Sequence, residues 1–362
     1  MTEPLLASVA PVIEIDGEVS GDLARDLVRL EVDETTAGLK TLTLRLLAQG
    51  PLPGEVREGL RYLDGALLDF GRALTVSIGP ADTARRIFDG NISALEVTHE
   101  EGRPPEVTLF AEDKLMALRM TRRCKTYESM TDAQIAESIA AEHGLTPAVD
   151  ADGPTYDRVQ QWNMSDLAFL RERGRLIQAE LWVLDDTLHF QQRDRRSATR
   201  LTLVQGNHLI EARLRADLAH QRTRIKVSGY DAGKRERIEE EADVSALSGD
   251  ESGGGVTGPA VLERAFGARV SYRVRNVPLA AAEAASWAEA EMRRRARAFV
   301  TATGTTRGSA DLVVGSQLTL ENVGHPFEGP AYLATHVTHT YDATEGFRTR
   351  FLAERAVLQE GS

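Results

Sequence analysis

The chain has 362 residues, of which 42% are apolar and 27% charged, and its formal net charge is -12. This length suits two or three packed units, and the acidic balance disfavours free nucleic acid, because such binding relies on clustered Lys and Arg. No stretch approaches the roughly 20 apolar residues that span a bilayer, and residues 1–11 lack the basic segment of a secretory signal. We therefore expect no nucleic-acid specificity and no membrane insertion.

The first 110 or so residues predict a series of short strands. Apolar and polar side chains alternate over 12–19, 27–33 and 41–46, the period of a half-buried strand. Further strands are predicted over 73–78, 87–98 and 106–111, with turn signals such as Gly79-Pro80 between them. Short strands at regular spacing are typical of a barrel or a sandwich.

The middle of the chain changes to a mixed pattern. Thr131 is a predicted N-cap for a helix over 132–143, and Ser165-Asp166 opens a second helix over 167–175. Two short strands flank Asp185-Asp186, which predicts a hairpin. The segment therefore reads as a small α+β unit.

The last third returns to strands around one long helix. Strands are predicted over 207–214, 223–230, 309–320, 331–341 and 346–355. A Gly- and Ser-rich loop over 248–259 is flexible by composition and lacks the Gly-Lys-Ser/Thr ending of a phosphate loop. The segment 280–299 is rich in Ala, Glu and Arg and predicts the longest helix.

A weak internal repeat links the two strand-rich regions. The first copy contains Gly71, Leu74, Phe88 and Gly90, and the second contains Gly315, Leu318, Phe327 and Gly329. The first glycine of each copy would permit a turn into a strand, the Phe would anchor the core, and the last glycine would permit a bulge. Duplication predicts two similar barrels, but common residues and unequal spacing leave chance as an alternative.

These residues carry a resemblance to a known family. The middle segment presents a helix, Gly144-Leu145, and then Gln160, Asn163, Ser165, Asp166, Phe169 and Leu170 in a fixed order. This order resembles the phage late control D family, which includes baseplate hubs of contractile tails and the N-terminal part of type VI secretion spike proteins. The 315–336 run is similar to the last barrel of that family, and the resemblance covers roughly 10–356.

The resemblance implies a mainly β fold with an α+β insertion, and two tube-like β-barrel domains that form a pseudo-hexameric ring as a homotrimer. The domains would be 1–120, 121–200 and 201–362. The implied partners are further copies of the chain, a spike protein, the inner tube or a tube initiator, and baseplate wedge components. The resemblance also implies assembly in the cytoplasm and then residence in the particle. Because the sequence stops at Ser362, we expect the spike tip to be a separate polypeptide.

Candidate chemical groups favour a structural interpretation. His336 and His339 would point to opposite faces of a strand, and His325 would lie in a loop, so a shared metal is not expected. Asp185-Asp186 is interpreted as a turn and 239–241 as a solvated helix. Cys124 is interpreted as a structural or incidental thiol. We therefore predict no catalytic residue, no metal and no cofactor.

Three functional hypotheses follow. The main one is a hub without catalysis, which joins a hexameric inner tube to a trimeric spike. A peptidoglycan-acting or metal-dependent hydrolase associated with a tail is the alternative from another class. An adaptor that binds a diffusible ligand is the third.

Overall fold

A computed structural model of the protein describes residues 10–51, 58–80, 83–196, 199–247, 254–273, 278 and 280–359. Residues 248–253 of the predicted loop lie outside the described residues. The strands of the first region are β1 Val12–Ile15, β2 Glu18–Val19, β3 Leu27–Thr35, β4 Thr41–Leu47, β5 Gln49–Pro51, β6 Glu58–Leu60, β7 Ala73–Ile78, β8 Arg85–Thr98 and β9 Glu106–Glu112. Strands therefore dominate the first region, as predicted.

The remaining elements alternate helices and strands and then return to strands. The strands are β10 Arg122–Met130, β11 Thr146–Asp150, β12 Tyr156–Ser165, β13 Ala179–Leu184, β14 Thr187–Gln192, β15 Arg200–Val204, β16 Leu209–Ala216, β17 Arg224–Asp231, β18 Glu236–Ala242, β19 Val256–Thr257, β20 Val270–Arg273, β21 Val300–Thr306, β22 Gln317–Glu321, β23 Gly329–Asp342, β24 Gly346–Arg355 and β25 Val357–Leu358. The α-helices are α1 Gly21–Arg25, α2 Leu115–Met120, α3 Asp132–Glu142, α4 Asp166–Ile177, α5 Gly258–Phe266 and α6 Ala281–Arg297. The mainly β fold is thus confirmed, and none of the described helices is long and apolar enough to cross a membrane.

One 13-stranded sheet joins the two strand-rich regions. Its order is β2-β1-β7-β8-β9-β4-β3-β23-β24-β21-β16, with β22 also beside β23 and β15 beside β22. We predicted two barrels, but no closed barrel is found within the part of the chain that the structure describes. The reason is the pairing of β3 with β23, which continues one region's sheet into the other.

Alternation of apolar residues fixes which face of the sheet is buried. Leu42, Leu44 and Leu46 on β4 are at most 1% exposed, whereas the polar residues between them are partly exposed. Each buried leucine stabilises the fold by roughly 1.5–3 kcal/mol relative to an exposed one. A register slip of one residue would reverse both faces, so this pattern specifies the pairing.

The mixed unit folds around its capped helices. Thr131 and Gln134 form a reciprocal capping box at the start of α3, and the Ser165 hydroxyl accepts from the Ala168 amide at the start of α4. The predicted hairpin is confirmed, with Leu184 opposite Thr187. The core of the mixed unit also contains buried side chains of β17, β18 and α6, including Trp287.

Several predicted elements differ from the structure. The predicted strand 12–19 is a tight hairpin, because Asp16 and Gly17 both have positive φ. The acidic run 239–241 lies in β18 and not in a helix, because it pairs with β17. The predicted strand 309–320 is β-structured only from Gln317, where hydrogen bonding to β15 and β23 begins.

Candidate functional site

The large sheet contains the same six-strand arrangement twice. The first half-sheet has the order β3-β4-β9-β8-β7-β1, and the second half-sheet has the order β16-β21-β24-β23-β22-β15. These strands follow one another along the chain in the same order in both halves: β15 and β16 correspond to β1 and β3, and β21 to β24 correspond to β4 and β7 to β9. One direction differs, since β1 is antiparallel to β7 and β15 is parallel to β22.

The glycines predicted to open each copy make the same hydrogen bonds. The Gly71 amide donates to the Ile92 carbonyl at 2.8 Å, and the Gly315 amide donates to the Ala334 carbonyl at 2.8 Å. Both glycines have positive φ, +81° and +89°, a region that side chains disfavour. Leu74 and Leu318 follow three residues later, and each is buried.

The strand irregularities also coincide. The register shifts between Ile92 and Ala94 in the β8–β9 pair and between Ala334 and His336 in the β23–β24 pair. A second shift follows Leu27 in the β3–β4 pair and Leu209 in the β16–β21 pair. Bulges at matching positions bend both half-sheets alike. They also define which residues of the two half-sheets are equivalent.

The second part of the predicted repeat is not equivalent in space. Gly90 lies opposite Leu74, but the residue opposite Leu318 is Tyr332 and not Gly329. Gly90 must lack a side chain, because a Cβ there would lie 2.2 Å from the Glu112 carbonyl oxygen. Gly329 instead has a φ of +110° at the start of β23.

The two phenylalanines of the repeat also differ. Phe88 is 1% exposed in the core of the first half-sheet, whereas Phe327 is only partly buried against the core of the second. Phe327 lies in the loop before β23 and accepts a hydrogen bond at its carbonyl from the Tyr332 hydroxyl. The spacing difference noted in the sequence therefore reflects different local structures.

The half-sheets meet at the antiparallel seam between β3 and β23. The seam runs from the pair Thr35 with His336 to the pair Arg29 with Asp342. Asp33 is central, because its carboxylate is 2.6 Å from the His336 ring and accepts from the Thr338 hydroxyl at 2.8 Å. This seam shows how one half-sheet joins the next through a β23-type strand and a β3-type strand.

The equivalents of these two seam strands lie at open edges. β16, the equivalent of β3, pairs with β21 on one side and ends the sheet. β8, the equivalent of β23, pairs with β7 only as far as Asn91, and its other edge pairs with β9. Among the described residues, 94–98 of β8 and 211–216 of β16 therefore each present one edge without a neighbouring strand.

The motif of the mixed unit builds a buried polar cluster at the start of α4. The Asp166 carboxylate is fully buried and accepts from Arg123 Nε at 2.9 Å and from Gln161 Nε2 at 2.8 Å. The His143 ring lies 2.8 Å from the same carboxylate. A buried charge with several partners holds strand and helix together, so the cluster is structural.

The other predicted motif residues occupy different environments. Phe169 and Leu170 are buried in the core, while Gln160 and Asn163 are exposed. Asn163 has a φ of +46°, and its side chain accepts from Arg122 at 3.2 Å. Sequence reasoning missed Gln161, which is 1% exposed and bridges Tyr127 to Asp166. Because β12 alternates faces, its pairing with β10 is the signal that distinguishes Gln161 from Gln160.

The residues considered for chemistry are placed apart. His339 is buried against Thr349, and burial lowers its pKa to about 3, so the ring is neutral. His336 faces Asp33 on the other side of β23. Cys124 is exposed. Across the described ranges, no three His, Cys, Asp or Glu side chains are grouped to hold a metal ion.

A cavity of about 460 Å³ lies between the mixed unit and the large sheet, and arginines line much of it. Arg171 donates to the carbonyls of Ala37 and Gly38 at 2.8 and 3.0 Å. Arg193 pairs with both Glu180 and Glu354, at 3.0 and 3.3 Å. These arginines connect the mixed unit to the sheet, so their charges already have protein partners.

Comparison with protein families gives one match, to the Alg8 N-terminal domain, over residues 54–343. The chain belongs to this family. No curated protein matches it.

Solved structures show the same fold over nearly the whole chain. The 43 kDa tail protein of prophage MuSo2 from Shewanella oneidensis has a TM-score of 0.70 at 15% identity, with 96% of this chain and 99% of that chain covered. A tail protein from Neisseria meningitidis gives 0.66 at 12% identity, covering 96% and 97%. An Escherichia coli component of the type VI secretion system, described as similar to the T4 tail proteins gp27 and gp5, gives 0.61 at 13% identity, covering 97% and 79%. The resemblance to tail proteins is thus confirmed at the level of the fold.

Proposed function

We propose that this chain is a structural hub of the late control D type in a phage tail baseplate or a contractile injection system. Three copies would join a hexameric inner tube to a trimeric spike. The repetition of one six-strand arrangement within the chain carries the proposal. A homotrimer of a chain with two equivalent half-sheets presents six similar units, which is what contact with a six-fold tube requires.

The fold supports the same role. Tail proteins share it over 96% of this chain, and the secretion-system relative is itself described as similar to two phage tail proteins. We propose that 1–120 and 201–362 are the two tube-facing domains and that 121–200 is the insertion between them. Assembly would begin in the cytoplasm, with the tube or its initiator, the spike and the wedge components as partners.

The role needs no catalysis, and we propose that the chain has none. Within the described residues, the buried charged groups of the mixed unit serve as partners for one another, as Asp166, Arg123 and His143 do. The hydrolase hypothesis has no observation in its favour among the described residues. Turnover of purified peptidoglycan by the full chain would support the hydrolase and contradict the hub.

The direct test is the mass of the full chain in solution. Light scattering and native mass spectrometry, with the chain alone and with a candidate spike protein, should give a homotrimer. The trimer should then bind tube protein on the face opposite the spike and start tube assembly. A chain that stays monomeric under all these conditions would overturn the proposal.

A further inference from the structure

We propose that neighbouring copies join by pairing β8 of one copy with β16 of the next, antiparallel and in the register of the seam between β23 and β3. The partner is a second copy of this chain, so this inference rests on the proposed trimeric hub. The within-chain seam is the template, because the same two kinds of strand already pair there.

The bulges fix the register of the new seam. Ala94 is equivalent to His336, because both follow the bulge opposite the last strand of their half-sheet. Glu211 is equivalent to Arg29, because each follows the bulge in its strand opposite β21 or β4. Carrying the within-chain pairs over places Glu96 opposite Arg215, Val97 opposite Leu214 and Thr98 opposite Arg213.

The core face of this seam is apolar. In the within-chain seam, Val32 and His339 lie opposite each other, 1% and 4% exposed. Their equivalents are Leu214 and Val97, and Val97 is 40% exposed in the single chain. Pairing would cover both side chains, since directly opposite residues of an antiparallel pair bring their Cβ atoms within about 4.5–5.5 Å. The exposure of an apolar strand residue is thereby explained.

Charge on the other face is inverted between the two seams. β3 carries Glu31 and Asp33, and its β23 partner supplies uncharged threonines opposite them. At the equivalent positions β16 carries Arg213 and Arg215, both exposed, and β8 supplies the exposed Glu96. Glu96 would therefore face Arg215, an opposite-charge pair at the position where the within-chain seam pairs Asp33 with Thr338.

The inversion also disfavours wrong pairings. If β3 of one copy paired with β8 of another copy in the same register, Asp33 would face Glu96. Like charges directly opposite each other are destabilising. One pair runs against the pattern, since Glu211 would face Glu100. That pair lies beyond the end of β8, where Glu100 is already 2.9 Å from Arg103.

Such contacts are compatible with the closed ring of the proposed hub. The interface is heterologous, because each copy offers β8 on one side and β16 on the other, and a heterologous interface forms a ring when its rotation closes. Three seams within chains and three between chains would then alternate around the ring. Main-chain hydrogen bonds would join the strands in both kinds of seam. An edge strand is a strong site for a partner strand because its main-chain N–H and C=O groups are unpaired.

The first experiment reverses the charges in the full chain. Glu96→Arg and Arg215→Glu should each raise the concentration for half-assembly of the trimer about tenfold or more, since three seams change at once. The double variant Glu96→Arg/Arg215→Glu should return within about threefold of the wild type. Arg237→Glu, on an exposed strand outside the seam, is the matched control and should change nothing.

The second experiment locks the register in a Cys124→Ser background. Val97→Cys with Leu214→Cys should form disulfide-linked trimers on mild oxidation, whereas Val97→Cys with Arg215→Cys, one residue out of register, should not. This seam would be overturned if the wild type trimerises, the charge variants assemble at the wild-type concentration and the first cysteine pair does not form disulfides. The proposed hub function would still stand in that case. A wild type that never assembles overturns both.

Discussion

Asp113 follows the last strand of the first half-sheet, and Arg355 ends the last strand of the second, at equivalent positions in the two arrangements. Both are buried, at 7% and 1% exposed. Asp113 accepts hydrogen bonds from the amides of Lys40 and Leu115 at 2.8 and 2.9 Å, which holds the start of α2. Arg355 donates to the carbonyls of Pro326 and Glu328, which holds the loop before β23.

The difference shows what a repeated fold conserves and what it changes. Both half-sheets share the strand order, the bulges and the glycine before β7 or β22, because these features shape the hydrogen-bonded sheet. The buried charge at the strand end differs because each half-sheet connects to something else there. The first half-sheet leads into the mixed unit, where an acceptor is needed for the free amides at the start of α2. The second must fix the loop before β23, where a donor is needed for the loop carbonyls.

The largest effect should come from Arg355. Its guanidinium stacks 4.3 Å from the Tyr332 ring and makes the two carbonyl hydrogen bonds. Arg355→Ala leaves a cavity and unpaired carbonyls, so the free energy of unfolding should fall by about 3–5 kcal/mol. Urea denaturation at fixed protein concentration measures this, and Arg350→Ala, an exposed change on the same strand, should stay within about 0.5 kcal/mol. Equal losses would refute the role given to Arg355.

Gly90 sharpens the contrast with its equivalent, Tyr332. Gly90→Ala would place a Cβ 2.2 Å from the Glu112 carbonyl oxygen, which is backbone and cannot rotate away. We expect a loss of about 1–3 kcal/mol from forced backbone movement. Gly21→Ala is the control, because nothing lies within 4 Å of its Cβ position. A neutral Gly90→Ala would mean that the two strands separate more easily than the structure indicates.

Gly71 should show the cost of backbone conformation alone. A Cβ on Gly71 meets nothing within 4 Å, whereas one on Gly315 lies 2.3 Å from Arg196 Nε. Gly71→Ala should therefore cost about 1 kcal/mol, through its φ of +81°. Gly315→Ala carries the same strain and must also displace Arg196. Thermal denaturation of both variants compares the two, and a larger loss at Gly71 would contradict this account.

These positions also show how far the sequence predicts the structure. Alternation predicted β3 and β4, because each buries one face, and runs bounded by turn signals predicted β7, β8 and β9. The caps Thr131 and Ser165 located two helices, because their hydroxyls satisfy free amides. The repeat was recognised from Gly71 and Gly315, but its second part was aligned wrongly, since loop lengths between equivalent strands differ. The β3–β23 seam was missed, because a pairing more than 300 residues apart leaves no local pattern.

The smallest effect is the pH dependence of stability, which should differ between Asp113 after β9 and Arg355 at the end of β24. Burial raises the pKa of Asp113 to about 6, against the two amides that favour its charged form. The folded chain therefore binds this proton more tightly than the unfolded chain, and stability from this group is lost as pH rises through about 6. Asp113→Asn removes the titration while Arg355, cationic throughout, contributes none. Between pH 5 and 7, the free-energy advantage of the wild type over Asp113→Asn should shrink by on the order of 1 kcal/mol. Urea midpoints at pH 5, 6 and 7 measure the trend, and an advantage that grows with pH would show that the amides, and not burial, govern this carboxyl.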